Sequence, residues 1–142
     1  MTQENKELLL KDLCARLPYG VKCQIDTGDA DVYVDTLATI TIDGCVCFME
    51  TIDTEDALEY DNIKPYLFPM SSMTEEQNKE LDQAIELELK AISGEIDHEQ
   101  ATAFEVDFYN KHHFDWRGLI PMGLAIDATG LNIYKIKHNY GK

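Results

Sequence analysis

The chain has 142 residues, with 27 acidic and 12 basic side chains, so its formal net charge is −15 when the histidines are neutral. This length is typical of about one domain, and a hydrophobic content of 44% is that of a globular protein rather than a disordered one. The excess of negative charge disfavours direct binding to nucleic-acid phosphates and to anionic membrane surfaces.

The first predicted element is a helix over residues 5–17. Apolar residues recur there at helical spacing, and Pro18 interrupts the pattern. After the turn that follows, the apolar period becomes two. Residues 21–26 and 32–42 therefore predict two strands, with Thr27-Gly28-Asp29 as the turn between them.

Two further strands are predicted before residue 70. Asp43-Gly44 is a strong hairpin signal, and it leads into an apolar run at 45–49. Residues 63–67 form another short apolar run, which Pro65 would place at a sheet edge because proline has no N–H to donate. These strands favour a small antiparallel sheet or an SH3-like barrel.

The second half predicts two helices and a returning strand. Ser72 with Glu75, or Thr74 with Gln77, forms a capping-box pattern ahead of a helix that ends at Ser93-Gly94. A second helix runs from Asp97 to about His112, although its aromatic residues also alternate as in a strand. After loops marked by glycine and proline, residues 131–137 predict the last strand. We therefore expect one α+β domain over 1–142, composed of a helix and sheet (1–68), a helical part (69–113) and a loop with a returning strand (114–142).

Negative charge is concentrated in part of the chain. Residues 1–70 and 71–109 each carry −9, whereas residues 110–142 carry +3. Residues 26–61 contain 11 carboxylates and no lysine or arginine. We expect this stretch to form an acidic partner-binding surface through Asp29, Asp31, Asp35, Asp43, Glu50, Asp53, Glu55, Asp56, Glu59 and Asp61. The alternative is that the acidity only keeps the protein soluble.

Three segments carry a resemblance to a known group of proteins. They are residues 11–21 (KDLCARLPYGV), 64–74 (KPYLFPMSSMT) and 108–120 (FYNKHHFDWRGLI). The chain resembles a group of small uncharacterised proteins of gut bacteria and of their phages or mobile elements. The resemblance implies a genomic setting and assigns no catalytic residue.

The strongest catalytic pattern is His112, His113 and Asp115. Histidine titrates near neutral pH, and a nearby carboxylate can fix its tautomer, as a small metal-dependent or His/Asp hydrolase requires. Adjacent histidines on a helix point about 100° apart, however, so the favoured interpretation is that both end a helix. The sequence also lacks a nucleophile elbow and a phosphate-binding loop.

Metal sites are weaker predictions. Cys14, Cys23, Cys45 and Cys47 lack zinc-knuckle spacing, so we expect reduced thiols packed in the core and no cofactor. Asp26 to Asp31 places oxygens at alternating positions of a turn, but the glutamate of an EF-hand loop is missing. A solvated turn is therefore favoured over a weak cation site.

The sequence thus favours a non-enzymatic, cytoplasmic protein that binds a protein partner with a basic surface, as an accessory factor or an acidic mimic of nucleic acid. Neither direct nucleic-acid binding nor membrane binding is expected. An alternative is a structural oligomeric module, whose exposed apolar patch would comprise Tyr66, Phe68, Trp116 and Leu119.

Overall fold

A computed structural model describes residues 2–26, 32–41, 45–49, 62–91 and 98–134. Within these ranges lie three α-helices and five strands, so the predicted α+β class is confirmed. In chain order they are α1 (Gln3–Arg16), β1 (Lys22–Asp26), β2 (Val32–Ile40), β3 (Val46–Phe48), β4 (Ile63–Leu67), α2 (Glu75–Ala91), α3 (His98–Lys111) and β5 (Ile126–Asp127).

Helix α1 packs its apolar face on the sheet. Thr2 caps its start, since the hydroxyl oxygen accepts a hydrogen bond from the Asn5 N–H at 3.1 Å. Leu9 and Leu13 are fully buried in the same hydrophobic cluster as the inward residues of β1 and β4. After Arg16, a 3₁₀ turn (Leu17–Tyr19) leads to Gly20 in the left-handed conformation, at φ 72°.

The five strands form one open sheet in the order β3-β2-β1-β4-β5. The first four strands pair antiparallel with their neighbours, whereas β4 and β5 pair in parallel, so the sheet is mixed. The edge position predicted for β4 is wrong, because β4 lies between β1 and β5. The strand tolerates Pro65 because β5 pairs only with Tyr66 and Leu67, the residues that follow the proline.

The returning strand also lies elsewhere than predicted. β5 is only two residues long, and residues 131–134 form a bend and a turn rather than a strand, with Asn132 in the left-handed conformation at φ 56°. Residues 135–137 lie outside the described ranges, as do the predicted turns at Thr27-Gly28-Asp29 and Asp43-Gly44. The pairing of β2 with β3 is antiparallel.

Both predicted helices of the second half are confirmed. The Thr74 hydroxyl accepts from the Gln77 N–H at 3.1 Å, and Gln77 Oε1 accepts from the Thr74 N–H at 2.9 Å. This reciprocal pair is the capping box of α2. The Ser72 hydroxyl instead donates to the Pro69 carbonyl at 2.6 Å.

A network around the buried Asp12 and Arg16 joins α1 to the segment after α3. Arg16 Nε donates to Asp12 Oδ2 at 2.8 Å, and both side chains are 0% exposed. The same guanidinium donates through Nη2 to the Phe114 carbonyl at 2.6 Å, and Arg117 Nε donates to Asp12 Oδ1 at 3.2 Å. A charge held this far from water depends on such partners, so this network fixes the C-terminal segment against α1.

The prediction of an exposed apolar patch is wrong for two of its four members, because they are buried. Tyr66 and Leu119 are 5% and 0% exposed within a single chain, so neither needs a second copy to cover it. Phe68 and Trp116 are half-buried. Tyr66 is in the central part of the sheet, and Leu119 belongs to the main hydrophobic cluster, which explains their burial.

Candidate functional site

The two adjacent histidines, His112 and His113, lie directly after the last residue of α3. The Phe114 N–H donates to the Tyr109 carbonyl at 2.8 Å, and the His113 N–H donates to the Asn110 carbonyl at 3.3 Å. These are the two hydrogen bonds of a Schellman motif, whose left-handed position is most often glycine. Here that position is His113, at φ 64°. Both histidines therefore follow the last turn of a helix, as the sequence predicts.

The His113 ring stacks on Tyr134. The two ring centroids are 3.9 Å apart, and the ring planes differ by 10°. The Tyr134 hydroxyl donates to the Tyr66 carbonyl at 2.7 Å and accepts from the Lys22 N–H at 3.0 Å. Burial raises the pKa of Tyr134, and the hydrogen bond with Lys22 opposes that shift only in part. The tyrosine is thus an uncharged anchor between β1, β4 and the end of α3.

A cavity of about 360 Å³ opens beside this stacked pair. Its apolar lining comes from Phe68, Ala128, Ile133 and the Tyr134 ring. This volume is at the lower end of the range for small-molecule sites in proteins.

The polar lining of the same cavity comes from three parts of the chain. Gln77 belongs to the first turn of α2, Lys111 and the two histidines belong to the end of α3, and Asn132 belongs to the turn after β5. Gly130, in the left-handed conformation at φ 79°, completes this side.

His112 is half-buried and packs beside Phe108. Its ring centroid is 4.5 Å from that of Phe108. Desolvation lowers the pKa of His112 below its ordinary value of 6.5, the nearby Lys111 charge lowers it further, and Glu80 acts in the opposite direction. The imidazole is therefore mainly neutral at pH 7.

Asp115 does not join the histidines at the cavity. It is 6% exposed, and its two carboxylate oxygens accept hydrogen bonds from the Leu119 and Ile120 N–H groups at 2.8 and 2.9 Å. The carboxylate thus satisfies two backbone N–H groups of the segment that follows it. The structure thus brings together two of the three predicted catalytic residues, and Asp115 has a structural role.

The half-buried aromatic residues of the predicted patch contact neighbours in the same chain. Trp116 Nε1 donates to Asn110 Oδ1 at 2.9 Å, and the Arg117 guanidinium lies 4.1 Å from the centre of the indole ring. Phe68 lines the cavity, with its ring 5.9 Å from that of Tyr134.

The acidic stretch predicted as a partner surface is described only in part. Asp35 is 6% exposed and accepts a hydrogen bond from the Thr36 N–H at 2.7 Å, so its predicted surface role is wrong. It sits opposite Cys23 in the β1–β2 pair, facing the interior. The other members lie outside the described residues: Asp29, Asp31, Asp43, Glu50, Asp53, Glu55, Asp56, Glu59 and Asp61.

An acidic surface that the structure does describe lies on α2. Its five carboxylates are exposed and share the helix face opposite the buried Leu81. We call this surface the α2 acidic face, and its members are Glu75, Glu76, Glu80, Asp82 and Glu86.

The cysteines are dispersed. Cys23 is buried, and burial together with the charges of Asp12 and Asp35 raises the pKa of its thiol. Cys45 is half-buried, whereas Cys14 and Cys47 are exposed, so the prediction of core thiols is wrong for these two. Cys47 alternates with the buried Val46 and Phe48 in β3 and therefore points to the other side of the strand.

No group of three or more metal-binding side chains is gathered anywhere in the described ranges. In the Asp26–Asp31 stretch, where a solvated turn is favoured over a weak cation site, Asp26 is exposed and residues 27–31 lie outside these ranges. No helix in the described part of the chain is long and apolar enough to span a membrane.

The chain matches no protein-family model, no curated protein and no solved structure.

Sequence patterns missed most of the cavity. Gln77 was identified as a helix cap, and Lys111 only as part of a basic segment. Gly130 and Asn132 are residue types that favour left-handed turns. This preference is the one local signal in the sequence for their side of the cavity. Tyr134 has no local signal, because its hydrogen-bond partners, Lys22 and Tyr66, lie more than 60 residues away in the chain.

Proposed function

We propose that the chain is a non-enzymatic accessory factor, of phage or mobile-element origin, that binds a protein partner with a basic surface. The α2 acidic face is the observation that carries this proposal. Residues 75–86 present five exposed carboxylates against one exposed lysine, Lys79, which gives this part of the helix a net charge of −4.

The spacing of these charges supports mimicry of a nucleic-acid strand. At the helical rise of about 1.5 Å per residue, Glu75 and Glu86 are roughly 17 Å apart along the axis. The face therefore carries about one net negative charge per 4 Å, close to the spacing of about 3.4 Å between phosphates along one strand of DNA. A groove that binds a phosphate backbone would accept a rod of this charge density.

Affinity capture with two matched variants tests the proposal. One variant changes Glu75, Glu76, Glu80 and Glu86 to glutamine. The other changes four exposed acids outside this face, through Glu4→Gln, Glu7→Gln, Asp26→Asn and Asp107→Asn, so the change in net charge is the same. We expect the wild-type chain to capture a basic nucleic-acid-binding protein from a bacterial lysate at about 0.15 M salt.

The purified partner then separates specific recognition from general electrostatics. We expect the α2 variant to weaken its binding at least tenfold, the matched variant to weaken it less than threefold, and duplex DNA to compete with the wild-type chain. Equal weakening by the two variants, or capture of no basic protein, would contradict the proposal.

A further inference from the structure

The cavity at the end of α3 differs in charge from the rest of the molecule. The whole chain carries 27 carboxylates, yet none belongs to the described residues that line the cavity. The polar lining consists of one lysine, two histidines and two side-chain amides, all of which can donate hydrogen bonds. Such a lining favours a ligand that has acceptors or a negative charge and disfavours a cation.

Aromatic rings form the wall of the cavity. The Tyr134 ring is held by hydrogen bonds at its hydroxyl and by the stacked His113 ring. The Phe68 ring lies 5.9 Å from it at an angle of 49°. Rings fixed in this way offer edges and faces to another flat ring. The apolar lining also makes a fully hydrated inorganic anion a poor match, because part of its surface would lose water without gaining a partner.

The backbone around the cavity adds an independent argument. Two described residues other than glycine have a positive φ, His113 and Asn132, and both line this cavity. A histidine is less favourable than glycine in this conformation, because its Cβ atom crowds the backbone. Strained residues persist where surrounding contacts hold them, and they cluster at ligand sites. Glycine would complete the Schellman motif of α3 without strain, but it would remove the ring that stacks on Tyr134.

We propose that this cavity binds a small aromatic carboxylate. The ring of the ligand packs against Phe68 and Tyr134, and its carboxylate lies at the rim, where Lys111 supplies the positive charge. His112 and Asn132 supply hydrogen-bond donors beside it. No member of the α2 acidic face lines this cavity, so either proposal can fail without the other.

The binding experiment uses benzoate as the probe. Amide chemical shifts in nuclear magnetic resonance spectra measure its binding. We expect saturable shifts at His112, His113, Asn132 and Ile133. Benzyl alcohol and benzylamine carry the same ring without a negative charge, and we expect each to bind at least fivefold more weakly than benzoate. Inorganic phosphate carries negative charge without a ring, and we expect it to leave these amides unshifted.

Two variants test the assigned roles, with a lysine control. Lys111→Gln removes an exposed charge at the rim, and we expect it to weaken benzoate binding about threefold to fivefold. Lys79→Gln removes an exposed lysine of α2 that does not line the cavity, and we expect no change. Ile133→Trp fills the cavity, and we expect it to abolish binding. Because Lys111 is exposed, its variant remains informative if Ile133→Trp fails to fold.

Three results would overturn the proposal. The first is the absence of saturable benzoate shifts at the cavity amides. The second is binding of benzyl alcohol or benzylamine as tight as that of benzoate. The third is equal weakening by Lys111→Gln and Lys79→Gln.

Discussion

The 3₁₀ turn that follows α1 and helix α3 each end at a left-handed residue, but the two residues differ. The left-handed residue after α1 is Gly20, at φ 72°, and a Cβ atom built there would meet nothing within 4 Å. The left-handed residue after α3 is His113, at φ 64°, and its ring stacks on Tyr134. The first site needs only a backbone conformation. At His113 the backbone is strained, but the side chain makes a stacking contact that glycine could not make. This indicates a role for the His113 side chain beyond ending a helix.

The two helix ends are also joined. Arg16, the last residue of α1, donates a hydrogen bond to the carbonyl of Phe114, which directly follows His113. The end of α1 therefore contributes a buried charge, and the end of α3 contributes the carbonyl that accepts from it. Four predictions test how much the backbone conformation, the side chains and this connection contribute to the stability and the electrostatics of the two ends.

The largest effect is expected from Asp12→Ala. This change removes the carboxylate that pairs with Arg16 and Arg117 and leaves the fully buried Arg16 charge without its acidic partner. We expect the free energy of unfolding to fall by about 3–5 kcal/mol. Urea denaturation measures it, with Glu7→Ala, an exposed acid of the same helix, as the control. A loss below about 1 kcal/mol would show that the network does not stabilise the join between the helix ends.

The next largest effect is expected from Tyr134→Phe. The ring and its stack remain, but the Lys22 N–H and the Tyr66 carbonyl lose the hydroxyl that bonds to both. Leaving these partly buried backbone groups unsatisfied should lower the free energy of unfolding by about 1–3 kcal/mol. The matched control is Tyr33→Phe, at a side chain that is 42% exposed in β2. Equal stability of the two variants would contradict the role of Tyr134 as an anchor.

The comparison of the two left-handed residues is tested directly by Gly20→Ala and His113→Gly. We expect Gly20→Ala to destabilise the protein by about 1–2 kcal/mol, because open space does not relieve the backbone strain. His113→Gly should change stability by less, since relief of strain offsets a lost stacking contact of about 0.5–1.5 kcal/mol. Thermal and urea unfolding measure both. A gain of the full 1–2 kcal/mol in His113→Gly would mean that stacking contributes nothing.

The smallest effect concerns His112. Its pKa in the folded protein is lowered from 6.5, so the unfolded chain binds more protons between the two values. The corresponding stability is present above pH 6.5 and is lost as the pH falls toward the folded pKa. We expect Lys111→Gln to raise the His112 pKa only in part, because desolvation is the larger cause.

Imidazole chemical shifts measured across a pH titration give this pKa. The control is Lys79→Gln, which we expect to leave it unchanged. A folded pKa at or above 6.5 in the wild-type chain would contradict the burial of His112 beside Phe108 and Lys111.

The local patterns of this sequence were sufficient for most of the helices and strands. The capping box of Thr74 and Gln77 and the apolar periods of α1, β1 and β2 correspond to the observed elements within a few residues. Helix ends and alternating strands depend on neighbours in the chain, so local residue types carry the signal.

The sites were harder to predict. The end of α3 was expected, but the cavity there depends on Tyr134, which reaches β1 and β4 across more than 60 residues. Asp115 is of a suitable residue type for catalysis, and only its hydrogen bonds to Leu119 and Ile120 reveal a structural role. A two-residue parallel strand such as β5 has too few residues to show any period.

The sequence by itself determined the α+β class, the order of the helices and the first four strands, and the concentration of acids before residue 110. Only the tertiary structure decided that Asp35, Tyr66 and Leu119 are buried, and that a cavity lined by donors lies within so acidic a chain. Periodicity and composition describe neighbours along the chain, whereas burial and the make-up of a cavity depend on which distant segments pack together.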